Sequence, residues 1–348
     1  MKNPLPLSGE GSGKGANCRF TIHDCRKSAS LEPERPFHVC RFTFHVTARL
    51  GNSATIADCR FTIADSRKNT LIMNKNELTK RSVDYRKKIL KYIVGANAGH
   101  TGGSLSCIDI LNVLYNHVLK VSPQTFTSPD RDRYIQSKGH CVEALFVVLA
   151  DKGFFPEEHL ETLCKYRSHY IGHPTKKVKG VEQNTGALGH GLPIAVGNAI
   201  AAKLDKKDYK VYTLMGDGEL PEGSNWEAAL TAAHYKLDNL CAIVDKNTLQ
   251  ITAPTAEVCN TDPLDEKWKA FGWAVKEVDG HNIEALKEAF DSLPFEPGKP
   301  SVIIAHTVKG KGVSFMENNL KWHHGVPNKE EYQLAMSELE NSMLNAAV

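Results

Sequence analysis

No stretch of this sequence stays apolar for the length of a membrane span, so nothing in it reads as a transmembrane helix. Net charge is also nearly missing. Lys and Arg number 43 against 40 Asp and Glu, and the resulting +3 gives no electrostatic ground for nucleic-acid binding. The opening MKNPLPLSGEGSGKGANCRF has no apolar core of the kind a secretory signal needs. Paired CxxC spacings are absent too. The nine cysteines are scattered and odd in number, which reads as a reduced, cytoplasmic setting rather than a disulfide framework. What remains is globular material: 348 residues, 41% hydrophobic and 24% charged, enough for one large α/β domain or two smaller ones.

Positive charge is unevenly spread. Residues 1–72 carry 11 Lys and Arg against 6 Asp and Glu, while the remainder is slightly acidic. This segment also repeats itself, with CRFTI at 18–22, CRFTF at 40–44 and CRFTI at 59–63, at intervals too irregular for a stacked solenoid. Cys18, Cys25, Cys40 and Cys59 with His23, His38 and His45 are zinc ligands by type but not by spacing. The acids count against an organelle transit peptide. With no sustained apolar face to bury, 1–72 reads as a poorly ordered basic leader, and Met73 as an alternative start. The folded body is expected over 73–348.

In the body, strand-like and helix-like segments alternate. Helical periodicity marks 77–94, 105–119, 141–152, 222–235, 264–271 and 282–292, and a final helix-like tail follows 328. Short β-branched runs at 210–215, 240–245, 274–278 and 301–307 read as strands. This alternation predicts an α/β fold, a doubly wound and mainly parallel sheet flanked by helices. Such folds bind ligands beyond the carboxyl ends of their strands.

Asp217 stands at one of those ends, between Gly216 and Gly218. Gly-Asp-Gly alone is a common turn. Asn247 follows the next strand, about one βαβ unit later, so parallel neighbours would bring the two side chains together. A carboxylate, an amide oxygen and a nearby carbonyl make a hard-oxygen set suited to Mg²⁺ or Ca²⁺, and Mg²⁺ usually completes its shell with phosphate and water. The two glycines would let backbone approach a phosphate closely. Asp217 is therefore expected to anchor a metal that carries a diphosphate.

GDGELPEG followed by DKNTLQI resembles the thiamine diphosphate motif, which begins GDG and ends in Asn. Together with AGHTGGSLS, SKGH, GHP with NTGALGHGL, and TVKGKGVSFMENN with WHHG, it resembles the diphosphate-binding half of transketolase, in the same order over about 78–328. Within that family the resemblance is to the N-terminal subunit of split transketolases. It implies thiamine diphosphate as cofactor and Mg²⁺ as metal, with Ca²⁺ or Mn²⁺ as substitutes. Asp217, Asn247 and the Leu249 carbonyl would hold the metal, and the Gly218 amide would touch the diphosphate. Gly186, Ala187 and Leu188 would line the cofactor where two halves of an enzyme meet. Lys138, His140, Lys309 and His324 would surround the diphosphate and the reacting end of the sugar. His100 and His173 would face the reacting carbon of the cofactor, and Glu222 would couple the two sites of a dimer. His324 is preferred over His323 because a glycine follows it. His234, His281 and His306 match no motif.

Three positions depart from the family pattern: Thr101 for Pro, His190 for Gln, and Thr248 for Gly. The glutamate that engages the aminopyrimidine ring lies, in the family, on a second domain for which this chain has no room. A C-terminal transketolase subunit carrying that domain is therefore the expected partner, with two copies of each chain, sugar phosphates as substrates, and neither nucleic acid nor membrane. Alternatives are the α subunit of a 2-oxo acid dehydrogenase, a deoxyxylulose-phosphate synthase, and a non-catalytic cofactor-binding protein. The histidines of GHTGG, SKGH and WHHG argue against the first.

Overall fold

Residues 46–50, 53–57 and 73–345 are described by a computed structural model, which divides into two units, Met1–Leu71 and Ile72–Val348. In the first unit, β1 (Val46–Leu50) pairs antiparallel with β2 (Ser53–Ala57). The CRFT repeats, and the cysteines and histidines weighed for zinc, lie outside the described residues.

The second unit is built on β3 (Arg133–Gln136), β4 (Val211–Gly216), β5 (Leu240–Lys246), β6 (Ala274–Asp279) and β7 (Ser301–His306). These form one sheet in the order β3-β4-β5-β7-β6, and every pair is parallel. Every residue of β4 is buried, as a strand covered on both faces requires, which is why its sequence is a continuous apolar run. Alternation still decides which face each side chain joins. Tyr212, Leu214, Cys241, Ile243 and Ile303 enter one core, and Val211, Met215, Ala242, Val244 and Val302 the other.

Nine helices are described: α1 (Lys75–Ala96), α2 (Thr101–Val113), α3 (Val142–Asp151), α4 (Gly191–Leu204), α5 (Gly223–His234), α6 (Thr255–Val258), α7 (Leu264–Ala270), α8 (Ile283–Asp291) and α9 (Lys329–Asn345). Residues of α1, α2, α3, α8 and α9 fill the first core, and those of α4, α5 and α7 the second. The sheet is thus sandwiched between helical layers. The chain begins α1 with a reciprocal cap: Glu77 N donates to Asn74 Oδ1 at 3.0 Å and Asn74 N to Glu77 Oε2 at 2.8 Å. α8 buries Ile283, Leu286, Ala289 and Phe290, the one-sided spacing of a helix lying on a sheet. Among the described residues no helix is long and apolar enough to cross a membrane.

All four expected strands are present to within a residue or so. Strand β3 and helix α4 have no counterpart in the sequence reading. The first turn of α2 also starts earlier than expected, at Thr101, inside the GHTGGS segment.

Candidate active site

Because the sheet is parallel, the carboxyl ends of its strands share one edge. Ser137 and Lys138 follow β3, Asp217 and Gly218 follow β4, Asn247 follows β5, and Thr307 to Lys309 follow β7. Strands β4 and β5 are neighbours in register, Gly216 opposite Asp245, so Asp217 and Asn247 emerge side by side. A cavity of about 450 Å³ opens at this edge, and both residues line it. Of the other expected site residues, His100, Lys138, His140, Gly186, Leu188, Gly218, Leu249 and Lys309 also line it.

Asp217 is buried, yet its partners among the described residues are backbone amides: Gly218 N at 2.8 Å and Thr248 N at 2.5 Å. Burial, with the nearby Asp245 carboxylate, pushes its pKa up to about 6. A buried carboxylate with no cation against it opposes folding, and a divalent ion would relieve that. Asn247 Oδ1 and the Leu249 carbonyl are neutral oxygens in the same loop, the donor set of Mg²⁺ rather than of zinc. Among the described residues, no three His, Cys, Asp or Glu side chains converge as a metal set of their own. The residues present fit a metal whose remaining ligands come from outside the chain.

Asp245 is the contrasting carboxylate. It is fully buried and ion-paired with Lys138 Nζ, and it accepts from Ser106 Oγ at 2.6 Å, from Asn247 Nδ2 at 3.2 Å and from Thr307 Oγ1. Burial disfavours the charge on Lys138, but Asp245 outweighs it and holds the ammonium above its ordinary range. Among the described residues, Lys309 has no such carboxylate partner. Its Nζ donates to the Leu249 carbonyl at 3.0 Å and to His323 Nδ1 at 2.8 Å. Burial, and then the Lys138 charge, lower it to about 8. A buried ammonium without a carboxylate against it suits an anion from outside the chain.

Imidazoles crowd around His100. The His100 ring lies 4.6 Å from His324, 5.1 Å from His140, 5.7 Å from His323 and 6.2 Å from His173, centroid to centroid. Burial lowers His100 to about 4 and, with Lys309 beside it, His323 to about 3; it lowers His173 as well. His100, His173 and His323 are thus neutral near pH 7 and can donate from one nitrogen while accepting at the other. His323 and His324 divide the WHHG segment: His323 lines the cavity and stacks on His140, while His324 is exposed and packs on His100.

His173, His324, Ala187 and Glu222 are not in the cavity wall. His173 sits against Gly186, whose φ is 143° and where a Cβ would come within 2.7 Å of the imidazole. Ala187 is exposed, and so is Glu222, at the N-cap of α5. Gly218 is close-packed, since a Cβ there would meet Gln250 Cγ at 2.6 Å. Thr248 has a φ of 64°, a backbone a β-branched residue adopts only under strain, which explains why glycine suits that position. Thr101 Oγ1 donates to the Gly325 carbonyl at 2.6 Å and ties α2 to the WHHG loop.

Sequence reasoning passed over three buried acids here. Besides Asp245, Glu219 accepts from Gly189 N at 3.0 Å, Gly216 N at 3.1 Å and Ser137 Oγ, joining three loops. Glu143 accepts from Ser104 Oγ at 2.8 Å and His100 N at 3.3 Å, and burial raises it to about 7. A signal existed for Glu143: it is the acid inside the apolar helix VEALFVVLA.

The family described as "Transketolase, thiamine diphosphate binding domain" matches residues 79–339. An apulose-4-phosphate transketolase subunit of Phocaeicola vulgatus is 49% identical over 77% of this chain and 95% of that protein. The 6-deoxy-6-sulfo-D-fructose transketolase subunit SqwG of a Clostridium species is 41% identical over 73% and 93%. Among solved structures, the transketolase of Campylobacter jejuni superposes with a TM-score of 0.72 at 30% identity, over 79% of this chain but 46% of that one. The chain thus spans under half the length of the full transketolase and nearly all of the two separate subunits. It belongs to the transketolase family, as a thiamine diphosphate binding domain of the kind that forms a separate N-terminal subunit.

Proposed function

We propose that the chain is the diphosphate-binding subunit of a two-chain, Mg²⁺-dependent transketolase that moves a two-carbon ketol unit from a ketose phosphate to an aldose phosphate. The observation that carries this reading is Asp217: a buried carboxylate, met among the described residues by amides alone, opening with Asn247 and two lysines onto a cavity that His100, His140 and His323 also line. Asp217, Asn247 and the Leu249 carbonyl would hold the metal. Lys309, His140 and the Gly218 amide would meet the diphosphate. When bound, thiamine diphosphate supplies the nucleophilic carbon. The protein then has to orient the sugar and move protons at its hydroxyls. Neutral His100 and His173 suit that task, each able to accept a hydroxyl proton or return it.

A second subunit enters this reading because the chain covers nearly all of two relatives that are named as subunits, against under half of a full transketolase. Two relatives carry "subunit" in their names, and those names specify different sugars, apulose-4-phosphate and 6-deoxy-6-sulfo-D-fructose. The partner in this reading is a C-terminal subunit bearing the pyrimidine-binding domain, two copies of each forming the assembly. A cytoplasmic enzyme of sugar phosphate metabolism follows from the same reading. Cleavage of donor ketoses by the chain alone and by the reconstituted pair tests it: the pair is expected to turn over and the chain alone to be inert. Within the pair, His173→Ala should lower kcat by about a hundredfold or more, with cofactor affinity little changed. His140→Ala should chiefly weaken the cofactor. Robust turnover by the pure chain would overturn the two-subunit reading.

A further inference from the structure

Lys309 lies in a turn after β7, where Lys311 N donates to the Val308 carbonyl at 3.1 Å, Gly310 N to the Gly102 carbonyl at 2.9 Å and Asn318 N to the Lys309 carbonyl at 2.8 Å. Gly310, at a φ of 84°, and Gly312, at 95°, shape the turn just beyond it. The Lys309 ammonium also faces the repulsion of Lys138. Yet both ends of Val308–Lys311 are held from outside the cavity by one network. Val308 N donates to His281 Nε2 at 2.8 Å, and His281 Nδ1 meets Asp109 Oδ2 at 2.7 Å. Asp109 takes both terminal nitrogens of Arg86, at 2.6 and 3.1 Å, and Arg86 Nε returns to the Lys311 carbonyl at 2.9 Å. The ring closes around Lys309 through α1, α2 and the turn that precedes α8.

The proton on His281 is fixed by this geometry. A backbone amide can only donate, so Nε2 accepts, and the ring hydrogen sits on Nδ1 and is donated to Asp109. Burial would raise the Asp109 carboxyl, but Arg86, and then His281, hold it well below the usual carboxylate range. Asp109 is therefore an acceptor throughout, and it selects the tautomer that Val308 requires.

We propose that Arg86, Asp109 and His281 form a clamp that aims Lys309 at the diphosphate, with His281 as a positioning residue. The proposal rests on the reading of Lys309 as a diphosphate ligand.

Calorimetric titration of magnesium thiamine diphosphate into the reconstituted pair tests it. His281→Ala is expected to weaken affinity about tenfold, the scale of one buried hydrogen bond. His281→Gln, whose amide can accept from Val308 and donate to Asp109, should recover most of that loss. In a Lys309→Ala background, His281→Ala should cost nothing further, because its effect runs through Lys309. His306→Ala, exposed and paired with Glu277 at the surface, should change nothing. The clamp is wrong if His281→Ala lowers the melting temperature with affinity unchanged, or if its loss simply adds to that of Lys309→Ala. Unchanged affinity in Lys309→Ala alone would instead remove the ligand reading, and the clamp with it.

Discussion

Asp217→Ala is expected to abolish Mg²⁺-dependent binding of thiamine diphosphate while leaving the apo chain as stable as before, or more so. The two halves of this expectation have one cause. Among the described residues Asp217 is buried with amide partners alone, and its carboxyl is pushed up to about 6, chiefly by burial. Deleting it removes an uncompensated charge from the apo fold. It also deletes the anionic ligand of the metal, which Asn247 and a carbonyl cannot replace. The loss of affinity should exceed about a hundredfold, more than removing a mere supporting partner of a ligand costs. Calorimetry for the cofactor and thermal melts of the apo chain, run on the same variant, check both halves. Unchanged cofactor affinity would sink the ligand assignment.

Asp245→Ala should do the opposite to stability. This carboxylate is as buried as Asp217 but is paired with Lys138 and takes Ser106, Thr307 and Asn247 as donors. Removing it strands a buried ammonium that already has Lys309 nearby. Breaking such a pair from one side costs about 3–5 kcal/mol. In a domain of this size the melting temperature should then fall by roughly 6–20 °C. Removing both charges, as in Lys138→Met with Asp245→Leu, should restore most of the stability, although not cofactor binding. If the single and double variants melt alike, the stranded charge is not the cause.

Two carboxylates at the ends of neighbouring strands thus have opposite roles, and the sequence shows why one was readable. Asp217 lies between glycines after an apolar strand, and Asn247 follows the adjacent strand, so spacing and the rule for parallel neighbours suffice to bring them together. Asp245 lies near the end of the strand LCAIVDK, where a late acid looks like the start of a loop. Only the packing of Lys138, just beyond β3, gives it meaning, and β3 itself was illegible. RYIQ is four residues with a charge, and its strand character comes from its pairing with β4. Helix α4 was hidden for a different reason. GLPIAVGNAIAAKL contains two glycines and a proline, all signals of a break. Pro193, however, falls in the first turn, where a missing N–H forfeits no helical bond. His281 matches no motif, and nothing local marks it. Its partners Asp109 and Val308 lie far away in the chain and meet it only through the fold.

The proposed function stands or falls on whether Asp217, Asn247 and the Leu249 carbonyl hold the metal of a diphosphate. Anomalous diffraction from crystals of the reconstituted pair grown with Mn²⁺ and thiamine diphosphate addresses this most directly. One manganese peak is expected for each copy of this chain, bonded to those three oxygens at about 2.1 Å and to the diphosphate on its open side. A cofactor bound with its manganese away from Asp217, or a peak at Asp217 with no diphosphate against it, would contradict the assignment.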